Sequence, residues 1–154
     1  MRRRRILAFF PALALAGLFT GTSASAACTF SNTVAVSFPV YDVFSATDDD
    51  GTGAFTIGCT TNTSAMVSLS AGGGGSFSPR SMAGPRAVLL NYNLYSDGGR
   101  TTVWGDGTGG STSVSRSLSA GVPFTFTIFA RIFHNQSSVI AGLYSDSVIV
   151  TVAP

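Results

Sequence analysis

The sequence predicts an all-β fold for most of the chain. It contains no lysine and no glutamate, and valine, threonine, phenylalanine, serine and glycine dominate after residue 27, a composition that favours strands and turns over helices. No helical period longer than a turn or two is present in that part of the sequence. Apolar residues instead alternate with polar ones in short runs that are separated by turn-forming residues. These observations indicate a single β domain with many turns.

Residues 1–26 have the three regions of a secretory signal peptide. Four arginines at residues 2–5 precede an apolar stretch, residues 6–19, and small residues end at Ala26. The apolar stretch is too short to cross a bilayer, which needs about 20 apolar residues, so we expect no membrane span after cleavage behind Ala26. Cleavage would remove four of the nine basic residues and leave five against seven acidic ones. The predicted domain, residues 27–154, is then slightly acidic, which argues against nucleic acid as a partner.

Two cysteines remain in the predicted domain, Cys28 and Cys59. Counted by twos, Cys28 shares a face with Val34 and Val36, and Cys59 shares a face with Phe55, so both thiols are expected to point inward. An exported chain meets an oxidising environment that favours disulfides. No histidine or further cysteine lies nearby in sequence to complete a metal or redox site. We therefore predict one disulfide between the first two strands.

The longest strand patterns lie in the C-terminal third of the chain. Residues 124–133 alternate apolar and polar side chains, as expected of a half-buried strand. Residues 144–152 place valines on one face but Ile149 on the other, which predicts a strand that is central or covered on both faces. A loop over residues 134–142 joins the two runs.

Shorter patterns predict the remaining strands. Val67 and Leu69 mark a third strand, and residues 88–95 a fourth, with Asn91 and Asn93 on its polar face. The glycines at residues 72–75 lack the lysine of a phosphate-binding loop and are predicted to link strands. The predicted core takes one face of each run: Val36, Phe55, Ile57, Leu69, Leu90, Tyr92, Leu94, Phe126, Ile128, Val148 and Val150.

Two local features have both a structural and a binding interpretation. Asp48, Asp49 and Asp50 predict a solvated acidic turn rather than a cation site, because a calcium loop alternates its ligands and closes with a distant carboxylate. Trp104 precedes Asp106 in a glycine-rich stretch. A buried tryptophan at a strand end is the structural interpretation that we favour. The functional alternative is a surface-binding region, including Trp104 and Asp106, on which a sugar ring stacks.

The residues available for catalysis are few. His134 is the only histidine, and no nucleophile lies beside a base in the sequence. The aspartates lie scattered in predicted turns, with nothing to pair them for acid–base work. The sequence therefore predicts no enzymatic activity, no metal and no cofactor.

Several segments together resemble a known family. In order along the chain they are Cys28, Cys59, residues 76–82, 90–95 and 103–108, and Gln136 with residues 141–146. Their order and spacing resemble the spore coat protein U domain of secreted bacterial pilus subunits in the archaic, Csu-type chaperone–usher class. The resemblance covers nearly all of residues 27–154.

The resemblance implies an incomplete immunoglobulin-like β-sandwich that is completed by a donor strand. In this family the strand comes first from a periplasmic chaperone and then from the N-terminal extension of the next subunit, with assembly at an outer-membrane usher. We therefore expect a structural subunit of a secreted pilus or coat. Cleavage after Ala26 would leave no donor extension ahead of Cys28, which predicts a position at the fibre tip. The alternative is a self-complete, adhesin-like module that binds a glycan or a surface.

Overall fold

The computed structural model describes residues 27–154, and the predicted signal peptide lies outside the described residues. Within this range the regular structure is eight strands and one short 3-10 turn, Pro85–Ala87. No helix among these residues is long and apolar enough to span a membrane. The strands are β1 (Cys28–Ser37), β2 (Asp49–Cys59), β3 (Thr63–Leu69), β4 (Arg80–Ala83), β5 (Leu89–Tyr95), β6 (Val114–Leu118), β7 (Phe124–Ile132) and β8 (Val150–Ala153).

The strands form two sheets. One has five strands in the order β1-β2-β7-β5-β4, and the other has three in the order β6-β3-β8. Every pairing between these strands is antiparallel. Buried side chains from both sheets form one hydrophobic cluster between them. The architecture is an all-β two-sheet sandwich, which confirms the predicted fold class.

Aromatic rings fill the centre of the sandwich. Phe55 on β2 lies opposite Phe126 on β7, and their rings stack with centroids 5.3 Å apart. Trp104 packs against both rings, at 5.9 and 6.1 Å. Its indole N–H donates to the Val67 carbonyl of the opposite sheet over 3.0 Å. The tryptophan therefore joins the two sheets by packing and by one satisfied buried hydrogen bond.

Most of the predicted core is buried, and the exceptions share a location. Val36, Val148 and Val150 are only partly buried, whereas every other residue of the predicted core is at most 8% exposed. The partly buried residues all lie along one side of the sandwich, where the two sheets are open.

The last predicted strand is wrong in length and in position. β8 covers only Val150–Ala153, and it lies at the edge of its sheet rather than at the centre. Residues 144–149 cannot continue it, because they cross from one sheet to the other. Ser145 exchanges two backbone hydrogen bonds with Ala83 of β4, and the Ile149 carbonyl accepts from the Ser70 N–H after β3.

The predicted acidic turn is also wrong, since Asp49 and Asp50 begin β2. Asp50 lies opposite Arg131 on β7, and the Arg131 Nε donates to its carboxylate over 2.8 Å. Arg100 Nε lies 3.1 Å from the same carboxylate. These cross-strand ion pairs stabilise an extended backbone where the sequence suggests a turn. Residues 27–154 contain no group of three histidines, cysteines or acids placed to hold a metal ion.

A buried arginine explains why one residue of the polar face predicted for β5, Asn93, is buried while Asn91 is exposed. Asn93 is 3% exposed and accepts from Arg80 Nη1 over 2.8 Å. Arg80 is 0% exposed and also donates to the carbonyls of Ser70 and Trp104. Burial lowers the pKa of Arg80, while these acceptors satisfy its donors. The sequence patterns missed β4, which begins at this arginine, as well as β6.

Candidate functional site

A disulfide fixes the first strand to the sandwich. Cys28 and Cys59 lie opposite each other in the β1–β2 register and are joined. The predicted disulfide is therefore present in the structure. It holds β1 at the edge of the five-stranded sheet, where β2 is its one partner among the strands that the structure describes.

Counting by twos assumes that alternate residues of β1 point to the same face along the whole strand, but they do not. Its register shifts at Asn32, which has a positive φ of 51°, and shifts again between Val34 and Ser37. Such bulges re-aim the side chains that follow them. Val34 is consequently 54% exposed, although the count placed it on the same face as Cys28. Val36 faces the sandwich and is partly buried.

Between β1 and β8 the sandwich is open along a groove of about 1120 Å³, which we call the long groove. One wall consists of residues 33–43, at the end of β1 and after it, and the other consists of residues 139–148 and Val150. The floor consists of core side chains from both sheets, chiefly Phe55, Leu69, Met82, Leu90, Tyr92, Leu94, Ile128 and Ile132. The groove therefore reaches down to the hydrophobic core, whose side chains keep only a small exposed fraction at its floor.

Unpaired strand edges border the long groove on both sides. Among residues 27–154, β8 pairs only with β3 and β1 pairs only with β2, so within this range each strand has one edge without a neighbouring strand. Neither strand contains a charged residue. Val40 and Leu143 lie on the two walls and are 95% and 93% exposed. Exposed apolar side chains beside unpaired backbone are typical of a surface that a partner covers.

Polar contacts join the two segments that lead into the walls, residues 44–48 after the first wall and residues 133–138 before the second. The His134 backbone N–H donates to the Asp48 carboxylate over 3.0 Å, and its Nδ1 lies 2.6 Å from the same oxygen. The Gln136 N–H donates to the Tyr41 hydroxyl oxygen over 3.0 Å. Burial alone would raise the pKa of Asp48, but the hydrogen bonds from His134 and the charge of Arg131 outweigh it and hold this pKa below its usual value.

A buried phenol fixes the second wall to the floor of the groove. The Tyr92 hydroxyl donates to the Asp146 carboxylate over 2.6 Å, and the Gly73 N–H donates to the other oxygen of that carboxylate over 2.8 Å. Burial raises the pKa of Tyr92, and the hydrogen bond to Asp146 raises it further. The phenol therefore stays protonated and keeps donating.

The predicted surface-binding region divides into two parts. Trp104 is only 1% exposed, which matches its structural interpretation. The ring is not available to stack on a sugar at the surface, so this part of the predicted region is wrong. Asp106 is exposed, and its carboxylate accepts from the backbone N–H and the hydroxyl of Thr108. Hydrogen bonds from Thr108 lower the pKa of Asp106, and its role at a surface stays a prediction.

The same fold is found in a solved structure. A chain from the crystal structure of the CsuC–CsuE chaperone–tip adhesion subunit pre-assembly complex, from archaic chaperone–usher Csu pili of Acinetobacter baumannii, aligns with a TM-score of 0.58. The two sequences are 21% identical over 83% of this chain. The aligned region spans only 39% of that chain, so the likeness is one of fold. No curated protein matches the sequence.

The comparison with protein families gives a match over most of the sequence. The Spore Coat Protein U domain matches residues 16–151, a range that includes the disulfide and both walls of the long groove. The chain therefore belongs to the Spore Coat Protein U domain family.

Proposed function

We propose that this protein is a structural subunit of a secreted bacterial pilus or coat, which accepts a β-strand from another chain in the long groove. The observation that carries the proposal is the groove itself, a floor of core side chains between two strands that each lack a neighbour on one edge. An added strand would pair with backbone groups and place alternate side chains on the floor.

Partial burial of the predicted core supports this proposal. Val36, Val148 and Val150 have the sequence pattern of core residues, yet all three line the groove and stay partly exposed. The pattern around Ile149 predicts a strand that is central or covered on both faces, whereas β8 lies at an edge. A strand added beside β8 would account for both differences, because it would make β8 internal and cover the valines.

The occupant of the groove would be an extended segment with alternating apolar residues. Chaperone and pilin partners are proposed from the family, in which a periplasmic chaperone fills the groove before a neighbouring subunit does, and an outer-membrane usher carries out the exchange. The disulfide and the signal-like residues 1–26 favour export to the periplasm and then to the cell surface. The proposal assigns the protein no enzymatic activity.

A peptide-binding experiment tests the groove directly. The probe is a synthetic peptide of about ten residues in which valine alternates with threonine, long enough to run as one strand. We expect the peptide to raise the melting temperature of the purified chain, since a ligand that binds only the folded state stabilises it. A peptide of the same composition with its valines grouped together is the matched control, because it cannot place them on one face.

Two neighbouring positions on β8 provide matched variants. Val150 lines the groove, and Thr151 points to the exposed outer face of the same strand. Val150→Asp should abolish stabilisation by the peptide, whereas Thr151→Asp should leave it unchanged. The proposal would be contradicted if the two variants responded equally to the peptide. It would also be contradicted if the free chain were a stable monomer that the peptide does not stabilise, a result that would favour the self-complete adhesin-like alternative.

The expected tip position needs a separate experiment. Co-expression with the chaperone, the usher and one neighbouring subunit, followed by immunogold labelling of the fibres, locates the protein. Labels at fibre ends would support the tip position, and regularly spaced labels along the fibre would exclude it. Neither result affects the strand-accepting role.

A further inference from the structure

A second opening lies between β6 and the first half of β7. β5 pairs with β7 only from Phe129 onwards, so residues 124–128 have no strand on that edge, and β6 pairs only with β3. The cleft between them has a volume of about 310 Å³, at the lower end of pockets that hold small molecules. We call it the aromatic cleft, because its lining includes Trp104, Phe124, Phe126 and Phe129. It shares no lining residue with the long groove.

One cation lies at this cleft without a counter-ion. Arg116 occupies a position on β6 opposite the buried Ala65 and between Val114 and Leu118, where the strand pattern calls for an apolar side chain. Its guanidinium carbon lies 4.1 Å from the ring centroid of Phe124. Within residues 27–154 it forms no ion pair with a carboxylate. Contact with the ring restrains the guanidinium at the mouth of the cleft, while its donors remain available.

We propose that the aromatic cleft binds a small sugar acid, with the carboxylate on Arg116. A guanidinium pairs with a carboxylate through two parallel hydrogen bonds, which fixes the orientation as well as the charge of the ligand. The sugar ring would lie against the partly exposed rings of Phe124 and Phe129, because Trp104 and Phe126 are buried deeper in the cleft. The polar residues Ser96, Ser115 and Thr127 also line it. A peptide strand is the less suitable occupant, because an inward-pointing charge on an edge strand opposes strand pairing.

Fluorescence of the single tryptophan provides the readout. Trp104 is the only tryptophan of the chain and lines the cleft, so a bound ligand should change its emission. Galacturonate is the probe, and galactose, which differs at the carboxylate, is the matched neutral control. We expect a saturable change with galacturonate and at least about tenfold weaker binding of galactose, the difference that one charge-assisted hydrogen bond makes.

Variants of two arginines separate binding from general charge effects. Arg116→Gln should weaken galacturonate binding at least about tenfold, and Arg116→Lys, which keeps the charge but loses the planar pair of donors, should fall between it and the wild type. Arg86 is the control, since it is exposed on the 3-10 turn and also forms no ion pair within the described residues. Arg86→Gln should bind like the wild type.

Several results would overturn the proposal. They are no response of the wild type to galacturonate, an equal response to galactose, or an equal loss in Arg86→Gln. A variant Arg116→Gln that binds as before but aggregates would also overturn it, since Arg116 would then only protect the edge of β6. None of these results bears on the peptide experiment, because the long groove and the aromatic cleft are separate surfaces.

Discussion

The two openings of the sandwich differ in how their strand edges are protected. β6, at the aromatic cleft, carries the inward-pointing charge of Arg116. β1 and β8, which border the long groove, carry no charge at all. Natural sheets blunt exposed edges with inward charges or proline, because an unprotected edge pairs with other chains. On the proposed function, β6 would be closed to strands and the edge of β8 would be left free for one.

The two openings also differ in the kind of occupant that their side chains suit. The floor of the long groove is apolar and extends along both walls, which suits a long segment with alternating side chains. The aromatic cleft is less than a third of that volume and has an unpaired guanidinium at its mouth. A long apolar occupant and a small anionic one are therefore expected on opposite sides of one core. Three further predictions test how far the two openings are independent.

The largest effect is expected at the core residue between them. Phe126 lines the aromatic cleft and stacks on Phe55, which lies on the floor of the long groove. Phe126→Ala should lower the free energy of unfolding by about 3 to 5 kcal/mol, since it removes a buried ring and leaves a cavity. Urea unfolding measures the change, with the exposed neighbour Thr127→Ala as control. If the free energy of unfolding fell by less than about 1 kcal/mol, the Phe126 ring would not be tightly packed between the two openings.

Removal of the disulfide should lower stability and, of the two openings, should affect only the long groove. The bridge closes a separation of 31 residues, and on the loop-entropy model its loss costs about 3 to 4 kcal/mol. The double variant Cys28→Ala, Cys59→Ala should therefore be less stable and should bind the valine–threonine peptide more weakly, because β1 borders the groove. Mass spectrometry of the unreduced protein establishes the bridge first. Unchanged galacturonate binding is the control, since the cleft lies on β6 and β7.

Sequence patterns correctly predicted the strands in which every second side chain is buried. β7 and β5 follow the predicted runs, and Phe55, Leu90 and Ile128 are buried as expected. An alternating pattern indicates which positions are apolar but does not indicate which sheet a segment joins. Residues 144–149 have a strand pattern, yet they cross between sheets because Ser145 bonds to β4 and Ile149 to the end of β3.

Charged and polar residues account for most of the remaining errors. Asp49 and Asp50 suggest a turn until Arg131, far away in sequence, is placed opposite Asp50 as its partner. Arg80 and Asn93 appear suited to the surface, but each satisfies the other inside the protein. The long groove has a signal in the sequence, because the three valines predicted as core line it. The aromatic cleft has none except the arginine on an apolar face of β6.

The smallest effect is expected from acid, and it should be confined to the long groove. The hydrogen bonds and charge that lower the pKa of Asp48 stabilise the folded state only while this carboxylate is ionised. That contribution is complete above the ordinary aspartate pKa of 3.8 and is lost as the pH falls through the lower folded value. For a partly exposed group it amounts to less than about 1 kcal/mol.

The readout is therefore the lifetime of the peptide complex rather than stability. Asp48 lies outside the groove lining, but its contact with His134 joins the segments that lead into the two walls. Its protonation should therefore speed peptide release as the pH falls from above 3.8 through the lower folded pKa of this carboxylate. Asp48→Asn should release the peptide faster at all these pH values and show less dependence on pH. Asp97 is the matched control, because backbone hydrogen bonds from Thr102 and Thr101 also lower its pKa, while these partners lie in its own turn and not in the segments that lead into the walls. Asp97→Asn should keep the acid-dependent peptide release of the wild type. If Asp97→Asn loses that pH dependence as fully as Asp48→Asn does, the contact between Asp48 and His134 does not control peptide release.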